Sequence, residues 1–355
     1  MAGGVGSRFW PLSRIKKPKQ FLDVMGVGKT LIQQTFERFC KVAPRENIIV
    51  VTNDMYKDIT IEQLEIEENR VLCEPMRKNT APCIAYANFK ILKENPNANI
   101  VVAPSDHLVN NEAEFLRVVQ QALDFTATND ALLTIGIKPS RPETGYGYIQ
   151  ASNEPTEIKM PCPEMKKVKT FTEKPELAMA KIFFESGEFF WNSGMFFWNL
   201  KSIMQAFDNY VPSINDLFHA KIEQLDTDSE AKAVANIYAQ CRNISIDYAV
   251  MEKSDNVYVL CADFGWSDIG TWGSLYANQK KDKKRNAVVG NNVFLYETKD
   301  CEINVSPQKL AIIQGLDDMI VVFTDDVLLI CKKEEEQRIK DFVNNVKIEK
   351  GDNYI

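Results

Sequence analysis

The sequence predicts an α/β fold with a doubly wound, mostly parallel sheet, followed by a small C-terminal β-rich unit. Apolar runs that end in polar residues indicate four buried strands, at residues 47–52, 70–74, 99–103 and 131–137. Between these runs, residues 79–93 and 112–126 have helical periodicity. The alternation favours parallel strands, and ligands of such sheets gather at the carboxyl ends of the strands.

The pattern changes near residue 280, where we expect a domain boundary. The charged run QKKDKKR, at residues 279–285, is interpreted as a linker between a domain at 1–280 and a β-rich domain at 286–355. The last segment, residues 334–346, is predicted to be an amphipathic helix. Its apolar face would consist of Ile339, Phe342, Val343 and Val346.

Bulk properties exclude several classes of protein. The 355 residues carry a net charge of −7, which argues against a general nucleic-acid binder. The eight cysteines are scattered without a C-x-x-C pair, and the sequence has no signal-like or membrane-spanning apolar run. We therefore expect a cytoplasmic protein without a membrane partner. With only two histidines, a histidine-based metal site or catalytic triad is not expected.

A glycine-rich turn at the start of the chain has the composition of a phosphate-binding loop. In the run AGGVGSRFWPLS, residues 2–13, three glycines let backbone N–H groups approach an anion. Arg8 adds a planar fork of donors and Lys19 adds a point charge, with no acidic residue between them. The residues predicted to hold a triphosphate are Ala2, Gly3, Gly4, Gly6, Ser7, Arg8 and Lys19.

Two other glycine motifs are excluded by single residues. A dinucleotide fingerprint, G-x-G-x-x-G, would need glycine where Phe9 stands. A P-loop at residues 26–30 would need glycine where Asp23 stands, and this carboxylate would face the phosphates. We interpret that second stretch as a turn before a helix at residues 31–39, with Thr30 as its N-cap.

Eight separated motifs identify a family by resemblance. They are AGGVGSRFWPLS with PKQFL, CEPMRKNTAP, APSDH, ETGYGYI, TEKP, WNSGMFFWN, SIDYAVMEK and WSDIGTW. In this order they resemble the sugar-1-phosphate nucleotidyltransferases, and their wording resembles the mannose-1-phosphate guanylyltransferase branch. The resemblance implies that the β-rich tail is a short left-handed β-helix followed by strands. In that family a buried strand precedes the glycine loop, whereas only Met1 does here. We expect the true start to lie upstream, since loss of a central strand would expose ladder groups.

Two aspartates are candidates for a metal site. Asp106 follows the predicted strand at residues 99–103, so we expect it at the sheet edge. Magnesium prefers oxygen ligands, usually one or two carboxylates with phosphates and water. The structural alternative is that Asp106 caps the next segment and that Asp268 caps the helix after Gly270. The resemblance implies that Asp106 and Asp268 bind Mg²⁺ beside the phosphate loop.

The sugar site is predicted from three further motifs. Lys174 precedes Pro175, which suits the first position of a helix. Without the resemblance, Lys174 would be interpreted as an exposed lysine before that helix. The resemblance implies that Lys174 meets the sugar phosphate and that Glu173 bonds a sugar hydroxyl. The other two motifs, ETGYGYI and WNSGMFFWN, contain glycines, amides and hydroxyls that suit a sugar. The structural alternative is that they form tight turns with aromatic side chains in the core. The predicted sugar-binding residues are Gly145, Tyr148, Glu173 and Asn192.

Recognition of the nucleotide base is predicted to depend on the glycine-rich loop and on the CEPMRKNTAP motif. Guanine offers N1–H and N2–H donors and an O6 acceptor, and Glu74 and Asn79 have matching groups. A salt bridge from Glu74 to Arg77 is the competing structural interpretation. The nucleotide-binding prediction also includes Ala81 and Ser105, and the preference for guanine rests mainly on the resemblance.

The resemblance implies an enzyme that transfers GMP from GTP to mannose 1-phosphate and releases pyrophosphate. The alternatives are another sugar phosphate or base, and a noncatalytic sugar-nucleotide sensor, which would be expected to lose Arg8, Lys19 or a metal carboxylate. The apolar helix face and the β-rich tail favour a homodimer. Residues 245–248 are interpreted as the structural start of a helix, with Ser245 as its cap.

Overall fold

The computed structural model describes residues 1–4, 6–154, 156 and 158–355. The helices are α1 (Leu31–Phe39), α2 (Lys57–Leu64), α3 (Thr80–Glu94), α4 (Glu112–Thr128), α5 (Leu177–Ser186), α6 (Leu200–Tyr210), α7 (Pro212–His219), α8 (Glu230–Gln240), α9 (Trp272–Asn278) and α10 (Ile339–Lys350). The strands are β1 (Val50–Asn53), β2 (Val71–Glu74), β3 (Asn99–Val102), β4 (Leu108–Val109), β5 (Leu132–Ile137), β6 (Tyr148–Ala151), β7 (Met165–Thr172), β8 (Phe189–Asn199), β9 (Val257–Ala262), β10 (Trp266–Ser267), β11 (Ala287–Val289), β12 (Val293–Tyr296), β13 (Glu302–Val305), β14 (Ala311–Gln314), β15 (Met319–Phe323) and β16 (Leu328–Lys332). Within these ranges, no helix combines the length and apolar character needed to cross a bilayer.

The central sheet confirms the predicted α/β fold, with two strands reversed. Its order is β3-β8-β5-β9-β7-β6. β5 and β9 pair in parallel, whereas β8 runs antiparallel to β3 and β5, and β7 runs antiparallel to β9 and β6. Consequently β3, β5, β6 and β9 point the same way. One core, with α3, α6, α7 and α8, and a second, with α4 and α5, contain the buried apolar side chains of the sheet.

The parallel part of the sheet is interrupted between β1 and β3. In the described residues β1 pairs with β2 alone, and β3 pairs with β8 alone. Met1 bridges one end of the gap, because its ammonium donates to the Ala103 carbonyl at 2.9 Å and its carbonyl accepts from Ser105 N–H at 3.0 Å. Ala2 N–H donates to the Val51 carbonyl at 2.8 Å. This is the bonding of one parallel strand between two others; beside it lies a mainly apolar cavity of about 340 Å³.

The segment before α1 confirms that residues 26–30 are not a P-loop. The Asp23 carboxylate accepts hydrogen bonds from Val27 N–H at 3.0 Å and Gly28 N–H at 2.6 Å. Donors that a P-loop would offer to a phosphate are therefore already used. Thr30 caps α1 in a reciprocal capping box with Gln33, as the sequence predicts.

The C-terminal unit is a β-helix, which confirms the predicted β-rich architecture. β11, β13 and β15 pair in parallel, β16 adds an antiparallel edge, and β12 pairs in parallel with β14. The last helix, α10, begins later than predicted, because Lys333–Arg338 form a 3₁₀-helix. The Glu336 carboxylate of that segment accepts from Gly273 N–H at 2.6 Å and so ties it to α9.

The C-terminal unit shares a core with the glycine loop. Ile339 and Val343 on α10 are buried in one cluster with Phe9, Trp10 and Trp272. The indole Nε1 of Trp10 also donates to the Tyr354 carbonyl at 2.6 Å. The apolar face of α10 is thus covered within the chain. The homodimer itself stays a prediction.

We expect Phe9→Ala to lower the free energy of unfolding by about 3–5 kcal/mol, the usual range for deleting a buried aromatic ring. Phe9 is completely buried, and its ring centroid lies 5.0 Å from that of Trp272. Urea denaturation of purified protein gives the change. Ile348→Ala is the control, because Ile348 lies on α10 but is 83% exposed; its effect should stay within about 0.5 kcal/mol. Equal losses in both variants would contradict the shared core.

Candidate active site

The glycine loop packs against the segment that carries Lys19. Gly6 has a φ of 60°, and a Cβ added to it would lie only 2.7 Å from the Lys19 Cβ, so glycine is required there. Gln20, which the sequence interpretation missed, holds the loop through its side-chain amide. The amide donates to the carbonyls of Ala2 at 2.8 Å and Gly4 at 3.0 Å. The PKQFL motif is thus the support of the loop.

Lys19 connects this loop to both predicted metal ligands. The residue is 4% exposed, and its Nζ lies 3.0 Å from Asp106 Oδ2. The ammonium also donates to the carbonyls of Asp268 at 2.7 Å and Ile269 at 2.8 Å. Because an ammonium has three donors, these contacts use all of them. The glycine turn and the two aspartates therefore belong to one cleft.

Arg8 differs from Lys19 in that one of its hydrogen-bond donors is not satisfied within the described residues. Its Nε is buried and has no hydrogen-bond partner among the described residues. A buried donor without an acceptor is unfavourable, and a guanidinium matches the oxygens of a phosphate. An anion in the cleft would satisfy this donor.

A short antiparallel pair brings the two aspartates to the same place. β4 and β10 align Leu108 with Ser267, which puts Asp106 and Asp268 at one end of the pair. Burial opposes ionisation of Asp106, but Lys19, His107 and the N-terminal ammonium together outweigh it and lower the pKa of that carboxyl. Asp106 therefore remains an anion at neutral pH.

The two carboxylates fit a hard divalent cation. Neither aspartate caps a helix: Asn111 caps α4 and Thr271 caps α9. In the part of the chain that the structure describes, no group of three or more His, Cys, Asp or Glu side chains could hold a metal. A pair of carboxylates suits Mg²⁺, which is commonly held by one or two of them together with substrate phosphates.

Tyr146 connects the ETGYGYI motif to these carboxylates, and the sequence interpretation did not single it out. Its hydroxyl donates to Asp268 Oδ1 at 2.7 Å. Its ring centroid lies 5.0 Å from that of Trp191 and 5.2 Å from that of Trp266. Burial and then the Asp268 charge raise the pKa of Tyr146, so the hydroxyl stays a donor. Its place between two motif glycines was the available signal.

Glu173 and Asn192 meet at Gly147. A Cβ on Gly147 would lie 2.4 Å from Glu173 Oε2 and 3.5 Å from the Asn192 Cβ. The Gly147 carbonyl accepts from Asn192 N–H at 2.8 Å. Gly145 is nearby in the same loop, where its N–H donates to Glu143 Oε1 at 3.0 Å. The structure thus brings three of the four predicted sugar-binding residues together on one loop and its neighbours.

Two further predicted residues differ in burial: Tyr148 is buried and Lys174 is exposed. The Tyr148 side chain is completely buried against Phe183, and its hydroxyl accepts from Glu143 N–H at 2.9 Å. It therefore supports the loop rather than lining an open pocket. Lys174 is exposed, with a φ of 46°, and forms an ion pair with Glu173. Glu176, and not Pro175, is the residue that precedes α5 as its N-cap.

Glu74 lies at the other end of the cleft. Its Oε1 accepts from the Tyr238 hydroxyl at 3.0 Å, and its Oε2 lies 3.6 Å from a Cβ built on Gly3. The competing interpretation, a salt bridge to Arg77, is wrong, because Arg77 donates instead to the Tyr56 hydroxyl at 3.1 Å. Burial raises the pKa of Glu74 to about 7, against the opposing hydrogen bond from Tyr238.

The remaining predicted nucleotide-binding residues are held by the backbone. Asn79 precedes α3 with a φ of 70°, and its side chain accepts from Thr80 N–H at 2.9 Å. Ala81 is completely buried, and its N–H donates to the Ile244 carbonyl at 3.1 Å. Ser105 follows β3 and is nearly buried. Of these three residues, only Asn79 is exposed.

Comparison with known proteins agrees with this geometry. Residues 1–285 match the nucleotidyl transferase family model, and residues 290–346 match the MannoseP isomerase/GMP-like beta-helix domain. The chain is 33% identical to a mannose-1-phosphate guanylyltransferase of Escherichia coli, over 98% of this chain and 74% of that protein. It is 36% identical to a mannose-1-phosphate guanylyltransferase of Salmonella muenchen, over 98% of this chain and 72% of that protein.

A solved structure extends the agreement to three dimensions. The crystal structure of a mannose-1-phosphate geranyltransferase from Thermus thermophilus is 29% identical in sequence and superposes with a TM-score of 0.86. The superposition covers 98% of both chains, so it includes the sheet and the β-helix. This chain belongs to the nucleotidyl transferase family.

Proposed function

We propose that this enzyme transfers GMP from GTP to mannose 1-phosphate, giving GDP-mannose and pyrophosphate. The names of the two guanylyltransferase relatives support the substrates. The observation that carries the chemistry is the cleft in which Lys19 joins the glycine loop to Asp106 and to the backbone of Asp268. The sensor alternative loses support, since Arg8, Lys19 and both aspartates are all present.

In the proposed reaction a phosphate oxygen of the sugar attacks the α-phosphorus in line and pyrophosphate leaves. This oxygen is already ionised at neutral pH, so no general base is needed. We assign Arg8 to the leaving phosphates, because its Nε is buried without a partner in the described residues. The Lys19 charge would stabilise the same end of the cleft, and Lys174 would reduce repulsion between the two anionic reactants.

Members of this family generally depend on a divalent metal ion. We propose Mg²⁺, held by Asp106 and Asp268, since both supply the hard oxygen donors that it prefers. When bound, the ion would neutralise charge on the nucleotide phosphates. Tyr146 keeps one oxygen of Asp268 in a fixed orientation through its hydroxyl.

We further propose a cytoplasmic homodimer. All eight cysteines are free thiols, which supports a reducing compartment. For the dimer we propose the exposed side of β12 and β14, where Phe294, Tyr296 and Ile312 are 53%, 55% and 69% exposed. Apolar patches of this kind often mark protein interfaces.

The proposed activity is tested by pyrophosphate release over a matrix of four nucleotides and several sugar 1-phosphates, with and without Mg²⁺. We expect the highest kcat/KM with GTP and mannose 1-phosphate, and loss of turnover in EDTA. Preference for another pair would correct the substrates. Release with no pair would overturn the proposal.

We expect Asp106→Ala and Lys19→Ala each to lower kcat on the order of a hundredfold or more, as loss of a preorganised charge typically does. Steady-state pyrophosphate release measures kcat. Lys17→Ala is the control, because Lys17 is an exposed cation in the same loop, and its kcat should stay close to that of the unmodified enzyme. Thermal melting identifies any variant that is unfolded. Near-normal kcat in both folded site variants would refute the assignment.

We expect the KM for GTP to fall severalfold between about pH 6 and pH 8, because the ionised Glu74 accepts from guanine and its pKa is raised to about 7. The sign follows from burial: the carboxyl is mostly protonated below pH 7 and mostly ionised above it. In Glu74→Gln the contribution of Glu74 to this dependence should be lost. Ionisation of the substrates affects both proteins alike, so the difference between their slopes measures that contribution. The same slope in both proteins would exclude Glu74 from base binding.

A further inference from the structure

We propose that Asp247 is a positioning residue for the sugar: it fixes the Asn192 carboxamide in the orientation that receives a sugar hydroxyl. This inference rests on the proposed function and adds to it a residue that the sequence interpretation placed in a structural helix start. It follows from the network around Asn192, from the helical turn that carries Asp247, and from the charges that surround it.

The network around Asn192 leaves one orientation for its amide. Its Oδ1 accepts from Gly194 N–H at 3.1 Å. The Thr134 hydroxyl shares its one proton between this oxygen, at 3.2 Å, and the Met195 carbonyl, at 3.0 Å. Its Nδ2 donates to Asp247 Oδ1 at 2.7 Å. An amide oxygen accepts and an amide nitrogen only donates, so a flipped amide would meet a carboxylate with an oxygen. Asp247 and Gly194 N–H thus select this orientation together, and Asp247 is the side chain of the two.

The turn that carries Asp247 is anchored in the core. Asp247–Met251 form a π-helical turn, and Glu252 N–H donates to the Asp247 carbonyl at 2.9 Å. Ala249 and Val250 are completely buried in the core with α6. A single π-helical turn is rare, and such turns are frequent at functional sites. This anchoring holds the carboxylate in place while Asn192 extends from β8.

The charges near Asp247 belong to the sugar end of the cleft. Burial raises the pKa of Asp247, the Glu173 carboxylate adds to the effect, and the Asn192 hydrogen bond opposes it. Two acidic groups thus flank the point where Gly147, Glu173 and Asn192 meet. A cluster of acceptors with one aimed amide is complementary to a polyol, whose hydroxyls can donate to carboxylates and accept from an N–H.

The first test separates substrate positioning from a purely structural role. We expect Asp247→Ala to raise the KM for mannose 1-phosphate about tenfold or more, as loss of a hydrogen bond to a charged group commonly does, with an unchanged KM for GTP. Asp247→Asn should restore most of the affinity, since its amide oxygen can still accept from Asn192. Asp255→Ala, an exposed acidic residue after the same turn, is the control. Equal changes in both KM values would overturn the proposal.

A double-mutant cycle tests whether Asp247 acts through Asn192. In an Asn192→Ala background, Asp247→Ala should change the KM for mannose 1-phosphate by less than about twofold. If the effects of the two substitutions on this KM are additive, Asp247 acts independently of Asn192. That result would contradict the positioning role. If Asp247→Ala does not fold, the cycle is run with Asp247→Asn and Asp247→Ser, and an unchanged KM in Asp247→Ser would contradict the proposal. A wild-type enzyme inactive on mannose 1-phosphate would refute the proposed function instead.

Discussion

The buried ammonium of Lys19 is the interaction on which the site depends. A cation taken out of water is unfavourable unless it is paired and hydrogen-bonded. Lys19 meets this requirement with one carboxylate, from Asp106, and two backbone carbonyls, from Asp268 and Ile269. These partners lie far apart in sequence. The need to pair one charge therefore holds the glycine loop, the end of β3 and the segment after β10 in a single arrangement.

In the proposed function the two cations, Arg8 and Lys19, would have different roles in binding an anion. Lys19 is fully hydrogen-bonded within the protein, so it contributes a fixed positive charge rather than free donors. Arg8 has a buried Nε that finds no partner in the described residues, so it has capacity left for a ligand. The packing of Phe9 against Trp272 keeps Arg8 beside the loop. A site arranged in this way is preorganised, because little has to move when the anion arrives.

The sequence was sufficient where local chemistry decides the structure. Thr30 and Gln33 form their capping box within four residues, and Asp23 occupies the donors of its own turn. Pairings between distant segments could not be predicted in this way. The direction of β8 and the alignment of β4 with β10 depend on contacts between residues far apart in sequence, and no local pattern encodes them.

The difference between local and long-range contacts also explains which site residues could be predicted from the sequence. Lys19 and Asp106 lie in motifs whose composition points to charge, so their chemistry could be predicted before their contacts were known. Tyr146 and Gln20 act through hydrogen bonds to groups that are distant in sequence, and nothing in their neighbouring residues predicts those bonds. The salt bridge considered for Glu74 was compatible with the spacing to Arg77. In the structure the Glu74 carboxylate is buried and faces Tyr238 and Gly3 instead.

The contact between Tyr146 and Asp268 makes the two halves of the cleft interdependent. Asp268 Oδ1 accepts from the Tyr146 hydroxyl and from Gly270 N–H at 2.9 Å, while the Asp268 carbonyl accepts from Lys19. The Tyr146 ring is fixed by two tryptophans, and its neighbour Gly147 contacts the sugar-side residues. A shift of the ETGYGYI loop would therefore move Asp268, and with it the carbonyl that accepts from Lys19. Because each half is held by the other, a change at Tyr146 should also disturb the surroundings of Lys19, which lies much earlier in the chain.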